Sequence, residues 1–442
     1  MRSLGVDVDV AGLLGVLTPG DAPETAWLAS ADEHAQWAES GMMSLTGNQT
    51  GPLLAPPRGM VSRVRWIQQM LAPHLTDVPD LLAVLGERAA IAKLQRGGQT
   101  SCGGGTRLLS THDGWVALCM ARPEDVELVP AWLAEFPGPT CYPHRVGDDL
   151  WGAISDAVSR VPSGVLVRRG VLLGLAVSAL GETAVGGAAV SVTPMSGEPG
   201  ERTSDGLGEP LLVVDMSSLW AGPLCAHILQ LSGALVVKVE GWRRPDGARR
   251  GPSVFFDLLH AGQHSVSVDF ASNSERRQLA RLVCRADVVI EGSRPQALAR
   301  YGITPELVAE QGRACVWVSI TAHGREGSFG ERVGFGDDCA VAGALVATDA
   351  GQPVFCGDAI ADPLAGITAA AATLSALGMK RRVLIDVALS RVARAFGAPL
   401  EPVADQDMRT DLSGLVVAQA RSRAPRGTAP VAGAQNSMWL NG

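Results

Sequence analysis

The stretch best suited to covalent chemistry is GDAIADPLAGITAAAATLSAL (357–377), in which Asp362 stands directly before Pro363 at the head of an alanine-rich apolar run. Proline in a first helical turn, followed by that run, predicts a helix over 363–378 with Asp362 at its N-terminus. The partial positive charge of a helix start holds a carboxylate ionised, which a carboxylate nucleophile requires. The same position is also where an aspartate simply caps a helix. The local pattern leaves both readings open. A second feature is Gly103-Gly104-Gly105, ahead of a strand predicted at 115–120. Three glycines let backbone approach a reacting carbonyl and offer N–H donors to a developing oxyanion, although a plain flexible turn has the same composition.

The elements that must position these residues fall into two halves. From residue 210, the runs LLVVD (211–215), ALVVKVE (234–240), ADVVIE (286–291), ACVWVSI (314–320) and RVLIDVA (382–388) alternate with helical segments. Those segments lie at 222–232, 274–284, 305–311, 338–347 and 363–378, with a last helix reaching about Phe396. Alternation of this kind predicts an α/β fold, a Rossmann-like doubly wound parallel sheet whose ligands sit beyond the C-terminal strand ends. The first 205 residues are mainly helical, at 24–41, 61–73, 79–94, 123–135, 150–159 and 163–174. The organisation expected is a helical segment over 1–90, a smaller α+β domain over 91–193 and a polar linker over 194–209. The large domain follows over 210–396, then a mobile tail over 397–442 that lacks periodicity.

Composition narrows the partners to small molecules. With 45 acidic against 37 basic residues the net charge is −8, which disfavours nonspecific nucleic-acid binding. No apolar run approaches the length of a membrane span, and the acidic start does not resemble a signal peptide, so a cytoplasmic address is expected. Cysteines at 102, 119, 141, 225, 284, 315, 339 and 356 form no CxxC pair and no metal-ligand spacing, so reduced core thiols and no metal are expected. The absent GxGxxG fingerprint argues against NAD.

Four motifs then occur in order: WAGPLCAHILQLSGALVVKVE (220–240) with RRPDGARRGP (243–252), SVSVDFAS (265–272), IEGSRPQALARYGI (290–303) and WVSITAHGREG (317–327). On these motifs the chain resembles the family III CoA-transferases, the group of formyl-CoA and carnitine CoA-transferases. The resemblance implies movement of coenzyme A between an acyl-CoA and a small carboxylic acid through an aspartyl-CoA thioester. Asp362 falls on the catalytic aspartate, Gly366 on the glycine after it, and Gly103, Gly104 and Gly105 on the glycine-rich lid. It places Lys238, Arg249, Arg250 and Arg294 at coenzyme A, with His264 and Ser265 in a weakened basic turn, His260-Ala-Gly-Gln263-His264-Ser265. An interlocked homodimer is also implied.

Two departures accompany the resemblance. The small domain precedes the large one, as in a permuted chain. Residues 40–71 resemble 342–374, placing Ser62 opposite Asp362, as a trimmed tandem duplication would, and only the second copy keeps the nucleophile. Acyl-CoA racemases of the same fold pair the aspartate with a histidine near the position of Phe335, where this chain has none. Asp337 and Asp338 could substitute, or cap a helix. A catalytically inert coenzyme A-binding protein is the third reading.

Overall fold

Val, Ile and Leu crowd both faces of the runs after residue 210, so neither face of those strands can meet water and the intervening chain must return as helices on both sides. The computed structural model describes residues 31–57, 59–136, 147–184, 188–197, 210–379, 381–397 and 414–440. Its strands are β1 (Thr106–Ser110), β2 (Trp115–Cys119), β3 (Ala176–Ala179), β4 (Val190–Pro194), β5 (Leu212–Met216) and β6 (Leu235–Gly241). They continue with β7 (His264–Val268), β8 (Val288–Glu291), β9 (Val316–Thr321), β10 (Val346–Asp349), β11 (Gln352–Phe355) and β12 (Val383–Ala388).

The large sheet runs β4-β12-β9-β8-β5-β6-β7. Every pairing in it is parallel except β12 with β4. The chain moves outward from β5 through β6 to β7, then crosses back to β8, so the strand order reverses between β5 and β8. That reversal opens the crevice in which doubly wound sheets bind ligands. The expected α/β architecture is present.

One apolar core joins a face of this sheet to the N-terminal helices, with Trp37, Met60, Ile67 and Leu82 packed among Leu224, Ile290, Leu364 and Phe396. The opposite face is covered by helix Asn273–Arg285, and Trp439 belongs to that second core. A separate core around Trp132 and Trp151 underlies the antiparallel sheet β1-β2-β3. That small sheet docks on helix Gly336–Ala342 through Leu108, Ala117 and Val341, with the Gly181 N–H donating to Val341 O at 3.0 Å.

Several expectations need correction. Strand β4 lies within the segment assigned to the small domain, yet it pairs with β12 at the edge of the large sheet. Its sequence VSVTP is β-branched at Val190, Val192 and Thr193, but it is short and ends at a proline, and β12 supplies the edge on which it pairs. The helix expected over 338–347 ends at Ala342 because Ala344 adopts φ 59°, after which the chain turns into β10 and β11. The helix expected over 79–94 is two, Leu81–Val84 and Glu87–Ala92, separated at Leu85 and Gly86. The linker and tail readings fall mostly outside the described residues, but 414–440 is bound to the N-terminal helices and the large sheet rather than mobile. Ala418 N–H donates to Ala38 O at 3.0 Å, and Arg423 forks onto buried Glu87 at 2.6 and 3.0 Å. Gln435 and Asn436 then satisfy the open edge of β7 by bonding the backbone of Ser265 and Ser267 at 2.7 to 2.9 Å. Covering an exposed strand edge in this way blocks its pairing with another chain.

Candidate active site

Asp362 is the second residue of helix Ala361–Gly378 and is half-buried. The N-cap is Ile360, and the Asp362 carboxylate accepts from the Gly336 N–H, outside its own helix. Gly366, one turn on, is a packing residue: a Cβ there would lie 2.7 Å from Ala221 O. The close approach sets this helix against Ala221–Leu231, which starts just after β5, and so puts Asp362 at the crevice where the strand order reverses. Gly366 therefore presents its backbone to a neighbouring helix.

Local strain surrounds the aspartate. Ala359 is held at φ 43°, a left-handed conformation costly for a residue with a Cβ. A Cβ on Gly336 would come within 2.3 Å of Ala359 O, so only glycine fits. The Gly336 N–H bonds the Asp362 carboxylate.

Three carboxylates share one cation here. Arg88 forks onto buried Asp358, Nε to Oδ2 at 2.9 Å and Nη2 to Oδ1 at 2.6 Å, and lies 5.6 Å from the Trp220 ring centroid. Asp337 accepts from Ala359 N–H at 2.9 Å and from Thr106 Oγ1 at 3.1 Å. Burial pushes Asp362 up to about 7, with Asp337 and Asp358 adding like-charge repulsion that Arg88 and the Gly336 N–H only partly offset. Burial likewise raises Asp358 to about 6 against the pull of Arg88. The expectation that the helix start alone keeps Asp362 ionised is corrected by these neighbours.

The glycine-rich loop meets this cluster. Its flanking residues Ser101 and Thr106 both bond Asp337, and a Cβ on Gly103 would stand 3.7 Å from Arg88 Nη2. Gly104 takes φ 75° in open space, and Gly103 and Gly104 are exposed. Beside the loop is a cleft of about 890 Å³ lined by Asn48, Gln49, Thr50, Gln95, Thr100 and Ser101. Arg96 braces its far wall by donating to the carbonyls of Thr46, Pro52, Gln49 and Gly51.

The expected coenzyme A contacts are brought together only in part. Lys238 is buried, 3.0 Å from Asp246, 3.4 Å from Asp215 and 2.5 Å from Ser217 O, so its charge is already neutralised beneath the loop after β5. Arg249 is paired with buried Glu240 at 2.6 Å and lies 4.1 Å from the Phe256 ring centroid. His264 accepts from Trp439 Nε1 at 2.9 Å, and Ser265 Oγ accepts from Gly433 N–H at 3.2 Å, so the chain's own C-terminal segment covers that turn. Arg250 and Arg294 are exposed and remain available to a phosphate. Ser62, opposite Asp362 in the repeat, donates to Glu33 at 2.7 Å, which reads as a helix-capping contact.

A possible metal set escaped the sequence: His323, Asp338 and Cys339 each bring a ligand atom within 4.8 Å of one another. Asp338 is already engaged with Phe335 N–H at 2.7 Å and Ser178 Oγ at 3.4 Å. Burial drives it up to about 8 and His323 down to about 3. Sequence reasoning also missed Arg88 and Asp358, which are 270 residues apart and carry no shared motif.

Residues 209–399 match the model of CoA-transferase family III. A probable fatty acyl-CoA transferase of Mycobacterium tuberculosis is 31% identical over 186 residues, which are 38% of this chain and 46% of that one. A succinate–glutarate CoA-transferase of Agrobacterium fabrum is 29% identical over 46% of this chain and 54% of its own. The chain thus spans about half the length of the curated relatives it matches. Among solved structures, a CAIB/BAIF family protein of Brucella suis is 28% identical, with TM-score 0.39 over 42% of this chain and 53% of that one.

Proposed function

We propose that this chain, whose residues 209–399 match the model of CoA-transferase family III, moves coenzyme A from an acyl-CoA to a carboxylic acid with Asp362 as nucleophile. The observation that carries the reading is an aspartate at a helix start whose carboxylate accepts from the Gly336 N–H, beside the Gly103–Gly105 loop at the crevice of the parallel sheet. The Asp362 carboxylate attacks the thioester carbonyl and expels the thiolate, giving a mixed anhydride. The thiolate returns to the aspartyl carbonyl and releases the first acid as a carboxylate, leaving an aspartyl-CoA thioester. A second acid then attacks that thioester, and the thiolate finally collects its acyl group, restoring Asp362. The loop N–H groups serve as donors to the tetrahedral oxyanions.

Arg250 and Arg294 are the contacts proposed for the coenzyme A phosphates, and a homodimer is the proposed assembly. A racemase would need a second base across from Asp362. The charged groups acting on Asp362 are Arg88, Asp337 and Asp358, a set better suited to holding a nucleophile than to two-base exchange. The test is intact-protein mass spectrometry after mixing with a panel of acyl-CoA thioesters, with hydroxylamine as trap. A coenzyme A adduct or hydroxamate on Asp362, absent from Asp362→Ala, supports the mechanism. Thioester binding without any adduct points to an inert binder instead.

A further inference from the structure

We infer that Arg88 receives the carboxylate of the free acid while Asp362 is acylated, an assignment that rests on the aspartyl-thioester reading above. During each half-reaction a free carboxylate must sit beside Asp362, next to Asp337 and Asp358, and like charges there oppose it. A cation is required. Arg88 is the cation acting on Asp362, and its fork onto Asp358 uses only Nε and Nη2. Its Nη1 makes no hydrogen bond among the described residues, and 32% of the side chain is exposed, under Gly103 of the loop.

The electrostatics then alternate with the chemistry. While Asp362 is a carboxylate, the guanidinium offsets its charge. Once Asp362 is an anhydride or thioester it is neutral, and the guanidinium, while its Nε and Nη2 stay on Asp358, can donate from Nη1 to the acid that leaves or arrives. The Asp358 fork and the Trp220 ring fix the guanidinium plane, so the open Nη1 edge is presented without a search through rotamers. The incoming carboxylate attacks the aspartyl carbonyl from this position, the C–S bond breaks, and the thiolate takes the electron pair.

The test separates the two halves of the reaction in the full chain, using an acyl-CoA and acid that the wild type turns over. Hydroxamate formation without acid reports the donor half, and the KM for acid reports the acceptor half. Arg88→Met is expected to raise the acid KM about 10- to 100-fold, the range of a lost charge-assisted bond, and, because Arg88 also helps keep Asp362 ionised, to slow the donor half near pH 7 but not at pH 9, where both halves are compared. Arg88→Lys should recover part of that loss. Asp358→Asn releases a competing carboxylate and should lower the acid KM several-fold, and it decides the matter if Arg88→Met does not fold. An acid KM within twofold of wild type in the folded variants overturns the assignment. A wild type that forms no hydroxamate overturns the aspartyl-thioester reading itself, and this assignment with it.

Discussion

Thr106 Oγ1 donates to Asp337 Oδ2 at 3.1 Å, while the other oxygen of that carboxylate accepts from Ala359 N–H at 2.9 Å. One half-buried side chain thus ties the end of the glycine-rich loop to the strained residue three places before Asp362. Thr106→Val keeps the shape and deletes the donor. It should destabilise the protein by about 1–2 kcal/mol and lower kcat more than it raises KM, as measured by urea unfolding and steady-state kinetics. An unchanged kcat would mean that loop position and catalysis are independent.

The pH dependence follows from the crowding of carboxylates. Asp362 is pushed up to about 7, and only its ionised form is a nucleophile, so hydroxamate formation should rise with pH through about 7 and level off above. Asp358→Asn removes a neighbouring like charge and should move the midpoint of that rise downward. Single-turnover trapping from pH 5 to 9 reads both. A flat profile would place another step, or another group, in control.

Asp338 makes a separate prediction about stability. Its carboxyl is raised from 3.8 to about 8 by burial, so the folded protein binds that proton more tightly than the unfolded chain does. The contribution to stability is therefore full below about pH 4 and is lost as pH climbs towards 8. Asp338→Asn keeps an oxygen acceptor for Phe335 N–H and cannot ionise. Its melting temperature should exceed that of the wild type above pH 8 and converge with it in acid, which calorimetry across that range would test.

Gly366→Ala separates packing from cofactor binding. The added methyl would sit 2.7 Å from Ala221 O and 3.0 Å from Leu224 Cβ, contacts that neither helix can relieve without shifting. A loss of about 1–3 kcal/mol is expected in denaturant unfolding, with affinity for coenzyme A affected only as far as the helices move. Intact stability with lost coenzyme A affinity would return Gly366 to the ligand site.

Much of the large half was legible in the sequence because each strand there is buried on both faces and so is written as an unbroken β-branched run. The helix Pro305–Gln311 falls at the predicted boundaries, and the parallel strands β5, β6, β8, β9 and β12 fall within a residue or two of theirs. Strands β1, β3, β4, β7, β10 and β11 were not read from the residue pattern, since they are short and hairpin or edge partners define them. The segment 414–440 was unreadable for a related reason: it has no periodic face of its own and is held by bonds to backbone edges supplied elsewhere.

The candidate site divides in the same way. The sequence by itself determined that an aspartate stands at the head of an apolar helix, that a triple-glycine turn precedes a strand, and that the second half builds a parallel sheet. Only the tertiary structure decided that these meet, that Lys238 and Arg249 are already neutralised by buried carboxylates, and that Arg88 and Asp358 join Asp362. A motif records the local geometry a backbone needs. Charge pairing records which groups share a low-dielectric space, and that depends on chain crossings no single stretch of sequence contains.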